Sequence, residues 1–201
     1  MCTRDLKSLQ RKQGISGRKG LSNELREQYS KKITDIILGL EIYKKAATIL
    51  SYQPFGAEAD TSLLGQAAIT DNKRLAYPIS EAGGVLVPAI PSGDDSWSVG
   101  KFNIRSPIKE KSLILSPLEI DLIIVPCTAF CGISRMRIGM GAGYYDRFLP
   151  QCSNALTVAI AFEAQRIDNL HYDAWDVPLS AIITEFAVYG DIICRIAEHY
   201  W

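Results

Sequence analysis

Histidine is scarce in this sequence, which has only His171 and His199 among its 201 residues. Zinc enzymes hold their metal with clusters of histidines, paired cysteines and carboxylates. The sequence contains no histidine-rich or paired-cysteine group of that kind. It therefore argues against a zinc enzyme.

Cysteines are few, odd in number and scattered, at Cys2, Cys127, Cys131, Cys152 and Cys194. Such a distribution fits reduced thiols in a cytoplasmic protein better than a disulfide framework. Cys127 and Cys131 are four residues apart, but the sequence places neither histidine as a base for a catalytic thiol. We expect small buried thiols at these two positions.

Long apolar runs and an excess of charge are also missing. No apolar run reaches the ~18 residues of a membrane span, and the N-terminus lacks the apolar core of a secretory signal. The 22 basic residues balance the 22 acidic ones, so nothing indicates a general binder of nucleic acid or membrane surfaces. We therefore expect a cytoplasmic protein without nucleic-acid or membrane partners, and a single domain spanning residues 1–201.

Two sequence motifs of common enzyme classes are absent as well. The chain has neither a GxSxG nucleophile elbow nor a GxxxxGK phosphate loop ending in serine or threonine, which excludes those two arrangements.

Short apolar segments typical of buried strands alternate with segments of helical periodicity. We predict strands at 46–52, 73–78, 85–88, 122–125, 156–162 and 180–184, with a hairpin at 97–104. Helices are predicted at 4–12, 22–40, 60–68 and 144–149, and from 189 onward. All-apolar strands separated by helices favour a mainly parallel sheet that is covered on both faces. The expected fold is α/β, a three-layer α/β/α sandwich.

The stretch 121–149 concentrates the features that indicate a site. An apolar strand at 122–125 leads into a loop carrying Arg137, and three glycines then alternate along 139–143. The chain leaves this loop through Tyr-Tyr-Asp-Arg at 144–147. A strand, a basic glycine loop and a helix start form the arrangement in which backbone N–H groups can hold phosphate.

The side chains of this stretch support the same interpretation. Arg137 can grip phosphate oxygens with a charged fork. Asp146 could hold Mg²⁺ together with substrate phosphates, and Tyr144 and Tyr145 offer flat faces to an aromatic ring. The alternative is a glycine turn with core tyrosines and an aspartate that caps a helix.

The N-terminus is rich in basic residues, and Lys7 and Arg11 are four apart on one face of the predicted helix. They could be simply solvated, since a basic terminal segment is commonly frayed.

The motif residues resemble the signature of the 5-formyltetrahydrofolate cyclo-ligases, also called 5,10-methenyltetrahydrofolate synthetases. Its centre matches Pro126, Ala129 and Phe130, then Arg137, Ile138, Gly139, Met140, Gly141, Ala142, Gly143, Tyr144, Tyr145, Asp146 and Arg147. Further matches follow in order along nearly the whole chain: Lys7, Arg11, Arg18 and Lys19, then Tyr52, Glu58, Asp60 and Thr61, then Lys73 to Pro78, and finally Ala161, Phe162, Gln165, Asp176, Thr184 and Glu185. Several motifs in the right order are far more specific than the glycine loop alone.

The resemblance implies a fold related to sugar-phosphate isomerases and CoA transferases. It also implies a reaction in which 5-formyltetrahydrofolate and ATP give 5,10-methenyltetrahydrofolate, ADP and phosphate, with Mg²⁺. ATP phosphorylates the formyl oxygen, N10 of the folate attacks the activated carbon, and phosphate departs as the ring closes. Such a site needs phosphate positioning and charge neutralisation more than acid–base groups. The expected partners are these small molecules, and the expected state is a monomer.

By the same resemblance, specific residues receive roles. The ATP site would comprise Lys7, Arg11, Arg137, Ile138, Gly139, Met140, Gly141, Ala142, Gly143, Tyr144 and Tyr145. The folate site would comprise Gln53, Glu58, Met140, Gly141, Ala142, Gly143 and Tyr144. Arg137, Tyr144 and Tyr145 would be catalytic, and Asp146 and Asp176 would hold Mg²⁺.

Four positions depart from the family's usual residues. Cys127 stands for glycine, Cys131 for aspartate, Ser106 for glutamate and Trp175 for histidine. These departures motivate one alternative, a non-catalytic relative that binds nucleotide or folate for regulation. A second alternative is a sugar-phosphate isomerase of the related fold, which would ignore ATP.

Overall fold

The computed structural model of the chain describes residues 3–100 and 103–192. Its helices are α1 Thr3–Lys19, α2 Asn23–Gly39, α3 Glu41–Lys45, α4 Ser62–Thr70 and α5 Tyr144–Phe148. Its strands are β1 Thr48–Leu50, β2 Arg74–Glu81, β3 Val85–Pro91, β4 Trp97–Val99, β5 Arg105–Pro107, β6 Ser112–Ile114, β7 Leu122–Pro126, β8 Ala129–Phe130, β9 Arg137–Ile138, β10 Leu156–Ile160, β11 Ala181–Ile183 and β12 Val188–Tyr189. The predicted helix from residue 189 onward begins inside strand β12, and the rest of it lies mostly outside the described residues, as do Cys2, Cys194 and His199.

The main sheet is mixed, with a parallel centre. Its strand order is β12-β11-β10-β7-β1-β2-β3-β6. Strands β11, β10, β7, β1 and β2 pair in parallel, while β12, β3 and β6 add antiparallel edges. The predicted α/β fold with a mainly parallel sheet is confirmed. The predicted hairpin is present as the antiparallel pair β4–β5.

Alternating residues of the central strands fill two cores, one on each face of the sheet. Leu122 and Ile124 of β7 pack with α2, α3 and α4. Ile123 and Val125 point to the other face, where Phe148 of α5 packs. This alternation follows from the two-residue period of a strand. Because helices cover both faces of the sheet, the ends of the strands remain accessible for a site.

The helix α1 is longer than the predicted helix at 4–12, since it continues through Gly14 and Gly17. They lie inside the helix and allow it to approach neighbouring backbone closely. A Cβ atom on Gly14 would stand 2.0 Å from the carbonyl oxygen of Thr128, and one on Gly17 would stand 2.1 Å from that of Ala164. Glycine therefore fixes how α1 docks on the segments that follow β7 and β10.

The helix α2 starts as predicted. Ser22 is its N-cap and accepts a hydrogen bond from the backbone N–H of Leu25 at 3.2 Å. Across the described ranges, no helix combines the length and apolar character that a membrane span requires.

Candidate functional site

A cavity of about 1020 Å³ opens beyond the carboxyl ends of the parallel strands. Ligands of open α/β sheets commonly bind at this edge. Pro126 to Thr128 after β7, Glu58 after β1 and Pro78 of β2 contribute to its wall. The glycine loop, the start of α5 and the helix α1 complete it, together with Asp173, Trp175 and Asp176.

The glycine loop joins β9 to α5 and forms one wall of this cavity. Gly141 and Gly143 have φ angles of 102° and 68°, a left-handed conformation that side chains disfavour. Every residue from Arg137 to Tyr145 lines the cavity. The predicted succession of strand, glycine loop and helix start is present, and the backbone requires glycine at Gly141 and Gly143.

The helix α1 faces the glycine loop from across the cavity. Arg11 donates from Nε to the carbonyl oxygen of Gly139 at 2.7 Å. Lys7 donates from Nζ to Asp173 at 2.9 Å and to Asp176 at 2.5 Å. Burial lowers the pKa of Lys7, but the two carboxylates outweigh burial and leave that pKa above its usual value. Lys7 is thus a fixed positive charge at neutral pH, and the basic N-terminus belongs to a site.

Arg137 lies almost buried at the centre of the site, with 5% of its surface exposed. Its Nη2 donates to Asp146 at 3.0 Å, and its Nη1 donates to the carbonyl oxygen of Val177 at 3.2 Å. Its guanidinium also lies 6.0 Å from the ring centre of Tyr145. Arg137 therefore ties α5 to the segment that carries Asp176.

The two predicted metal ligands both line the cavity, and each is paired with a cation. Asp146 pairs with Arg137, and Asp176 pairs with Lys7. Residues 3–100 and 103–192 contain no group of three or more His, Cys, Asp or Glu side chains that could form a metal cage. Mg²⁺ in nucleotide sites usually takes one or two carboxylates plus phosphates and waters, so this donor set fits Mg²⁺ that arrives with a nucleotide.

The two tyrosines of the loop are placed differently. The hydroxyl of Tyr144 donates to the carbonyl oxygen of Glu81 at 3.3 Å. The hydroxyl of Tyr145 is buried without a hydrogen-bond partner in the described structure, and burial raises its pKa well above the usual value. The Tyr145 hydroxyl therefore stays protonated at neutral pH, and both hydroxyls are suited to hydrogen-bond contacts.

Of the two folate candidates outside the glycine loop, Glu58 lines the cavity and Gln53 does not. Glu58 accepts hydrogen bonds from Arg18 at 3.3 Å and from the backbone N–H of Phe55 at 3.0 Å. Gln53 is half-buried in the segment after β1. The structure thus brings together every predicted site residue except Gln53.

Two residues of the site received no predicted role, because only the tertiary structure shows what they contact. Asp173 accepts a hydrogen bond from Lys7, as Asp176 does, and its backbone N–H donates to the Asp176 carboxylate at 2.8 Å. Arg147 donates to the carbonyl oxygens of Ala142 at 2.5 Å and Gly84 at 3.1 Å, which fastens the glycine loop to the turn before β3. The spacing of Asp173 three residues before Asp176 was a weak signal, and Arg147 ends the matched motif but was assigned no role.

The thiols beside the site are expected to resist alkylation. Burial raises the pKa of Cys127 to about 12 and that of Cys152 to about 11. At pH 8 only about one Cys127 thiol in ten thousand is then ionised, and only the thiolate reacts. Mass spectrometry after iodoacetamide treatment of the native protein should find both sites unmodified while the denatured protein is labelled. Equal labelling rates in the two states would contradict this expectation.

The comparisons with known proteins agree with this geometry. The model of the 5-formyltetrahydrofolate cyclo-ligase family matches residues 4–185. The 5-formyltetrahydrofolate cyclo-ligase of Haemophilus influenzae is 29% identical over 78% of this chain and 85% of its own. That of Escherichia coli K12 is 25% identical over 86% of this chain and 96% of its own.

Solved structures with the same fold carry a related description. The NMR structure of 5,10-methenyltetrahydrofolate synthetase from Aquifex aeolicus has a TM-score of 0.80 and 31% identity, and the alignment covers 97% of this chain and 100% of that one. The 5,10-methenyltetrahydrofolate synthetase of Mycoplasma pneumoniae has a TM-score of 0.72 and 25% identity, and the alignment covers 89% of this chain and 98% of that one.

Proposed function

The chain belongs to the 5-formyltetrahydrofolate cyclo-ligase family, and we propose that its basic cavity catalyses the ATP-dependent closure of 5-formyltetrahydrofolate to 5,10-methenyltetrahydrofolate. The observation that carries this proposal is that Lys7, Arg11 and Arg137 line one cavity together with the glycine loop, to which Arg11 is hydrogen-bonded. Three cations around a loop of left-handed glycines can hold the charge of a nucleotide triphosphate. The reaction forms ADP and phosphate besides the methenyl product.

Arg137 would stabilise the phosphoryl group during its transfer from ATP to the formyl oxygen. Its burial matters because a guanidinium fixed away from water interacts strongly with charge that develops in the transition state. Lys7 and Arg11 would hold the remaining phosphates, and the loop from Ile138 to Gly143 would set their distance from the formyl group. N10 of the folate then attacks the activated carbon and releases its proton to solvent, and the phosphate leaves from the formyl carbon as the ring closes.

The ion pairs of the cavity are consistent with this mechanism. Asp146 holds Arg137, and Asp173 and Asp176 hold Lys7, in the places that phosphate oxygens would take. Nucleotide binding would release these carboxylates from their cations. Asp146 and Asp176 would then hold Mg²⁺, which neutralises charge on the phosphates.

Replacing Asp146 by asparagine is expected to raise the Mg²⁺ concentration needed for half-maximal turnover by about tenfold or more, since a charged ligand is lost. The shape of the side chain is kept, and the released Arg137 stays in the cavity. Titration of turnover with Mg²⁺ at saturating ATP measures the effect, and Asp35→Asn on the surface of α2 is the control. An unchanged Mg²⁺ dependence would remove Asp146 from the metal site.

Neither alternative is favoured by an observation in the cavity. An isomerase would need a carboxylate or histidine base at the sugar carbon, whereas Asp146 and Asp176 are engaged by cations and Glu58 by Arg18. Cys127, one of the departures from the usual residues, lies at the cavity with its thiol buried. It removes no cation and no carboxylate from the proposed phosphate site.

The protein as a whole is proposed to work as a cytoplasmic monomer, with residues 1–201 forming one domain and no nucleic-acid partner. The balanced charge of the chain supports the last point. The thiols of Cys127, Cys131 and Cys152 are free, which supports a reducing compartment.

Release of ADP tests the proposed function. Purified protein with Mg-ATP should form ADP only when 5-formyltetrahydrofolate is added, with one ADP for each folate consumed. Calorimetric binding of both ligands without ADP release would favour the non-catalytic relative. ADP release that ignores the folate would contradict the proposal.

A further inference from the structure

A further arginine lies behind the cavity and has no part in the phosphate site. Arg18, near the end of α1, is 4% exposed. Its Nη1 lies 3.3 Å from Oε1 of Glu58 and 3.4 Å from the carbonyl oxygen of Cys127. Its Nε has no hydrogen-bond partner in the described part of the chain. A buried guanidinium with an unsatisfied N–H is costly, so stability alone does not account for it.

Glu58 is the partner that this cation faces, and 10% of its side chain is exposed. Its other oxygen accepts the backbone N–H of Phe55 at 3.0 Å. The other titratable groups that it influences are the phenols of Tyr52 and Tyr145 and the thiol of Cys127, all of which stay neutral at ordinary pH. Arg18 is therefore the charged group in contact with this carboxylate.

Two opposing effects act on the charge of Glu58. Burial raises its pKa, whereas Arg18 and the Phe55 N–H lower it. A buried carboxylate without a cation beside it tends to take up a proton. The net result is a Glu58 pKa above its usual value, and loss of Arg18 would raise it further.

We propose that Arg18 is a positioning residue that keeps Glu58 ionised and aimed into the cavity, where the carboxylate accepts hydrogen bonds from the N–H groups of the folate pteridine. The 2-amino group and the neighbouring ring N–H of that pteridine are parallel donors, and a carboxylate matches them with two acceptors. In a carboxylic acid one of the two oxygens carries a proton and acts as a donor, so the pair of acceptors is lost. The assignment rests on the proposed function, because it takes the folate as the ligand.

The first test follows the Glu58 carboxyl directly by ¹³C NMR of protein labelled in its glutamate carboxyls, with Glu58→Gln identifying the signal. In Arg18→Met only the Phe55 N–H still opposes burial, so the pKa of Glu58 should rise and its titration midpoint should move to higher pH. Arg18→Lys, which keeps the charge, should restore most of the wild-type midpoint. Arg74→Met is the matched control, since Arg74 pairs with Glu119 on the surface.

The second test measures the effect of the Arg18 substitution on KM for the folate substrate. At neutral pH, Arg18→Met should raise KM for 5-formyltetrahydrofolate about tenfold, as expected for loss of a hydrogen bond to a charged group, with kcat nearly unchanged. Raising the pH deprotonates Glu58 and should shrink this difference. In the Glu58→Gln background the Arg18 substitution should no longer change the pH profile.

Each outcome decides the assignment. An unshifted Glu58 titration in Arg18→Met, or a KM effect that persists in the Glu58→Gln background, would overturn it. If the methionine variant fails to fold, Arg18→Gln takes its place. If neither folds, the wild-type titration decides, because a Glu58 that is protonated at neutral pH beside Arg18 contradicts the assignment. The NMR titration needs no turnover, so failure of the proposed function would be recognised separately.

Discussion

Arg137→Met is expected to lower kcat by about a thousandfold, the largest effect of any single substitution in the site. Loss of one fixed donor to a developing charge typically costs ~10²–10³ in kcat. Arg137 also spans Asp146 and the carbonyl oxygen of Val177, so its loss releases two walls of the cavity as well. Steady-state formation of ADP and methenyl product at saturating substrates measures the effect.

The variant Arg137→Lys separates charge from geometry. A lysine ammonium restores the charge but not the planar fork that reaches both partners. Its kcat should remain well below the wild-type value, about a hundredfold lower. Asp146 is 28% exposed, so water can solvate it once its partner is gone, and both variants should unfold cooperatively. A kcat within tenfold of wild type for Arg137→Met would remove this arginine from phosphoryl transfer.

Gly14→Ala is expected to lower kcat/KM for ATP by about a hundredfold. Alanine normally favours a helix over glycine by about 1 kcal/mol, so helix propensity alone predicts stabilisation. The Cβ atom would instead stand 2.0 Å from the carbonyl oxygen of Thr128 and 2.9 Å from Cβ of Ala129. The helix must shift, and it carries Lys7 and Arg11 with it; displacements of about 1 Å in a positioned group cost ~10² in rate.

Two measurements make this second prediction specific. The buried apolar clusters of the described residues contain no side chain from α1, so the sheet should remain folded, as circular dichroism would report. Gly20→Ala is the matched control, because its nearest neighbour would be 3.4 Å away at ordinary contact distance. Equal kcat/KM in the two variants would show that the close docking of α1 does not position the cations.

How much the sequence could predict depends on whether a feature is local. The strands at β1, β7, β10 and β11 follow from short apolar runs, and the glycine loop follows from its own spacing. The length of α1 could not be predicted in that way. Glycine is a poor helix former in isolation, and its role here comes from carbonyl groups that are remote in sequence.

The same distinction separates the site residues. Arg137 and Asp146 lie in one local motif, so their meeting was predictable. Asp173 and Arg18 act through partners more than 35 residues away, Lys7 and Glu58, which no local pattern indicates. Gln53 lies three residues after the end of β1, but its side chain lies outside the cavity lining.

A single-turnover absorbance measurement tests the central claim most directly. Protein in excess over 5-formyltetrahydrofolate is mixed with Mg-ATP, and the methenyl chromophore is followed. The account predicts that absorbance rises until all the folate has been converted, that no rise occurs when ATP is omitted, and that the rise is about a thousandfold slower in Arg137→Met. Absence of the chromophore at high protein concentration, with both ligands bound, would contradict it.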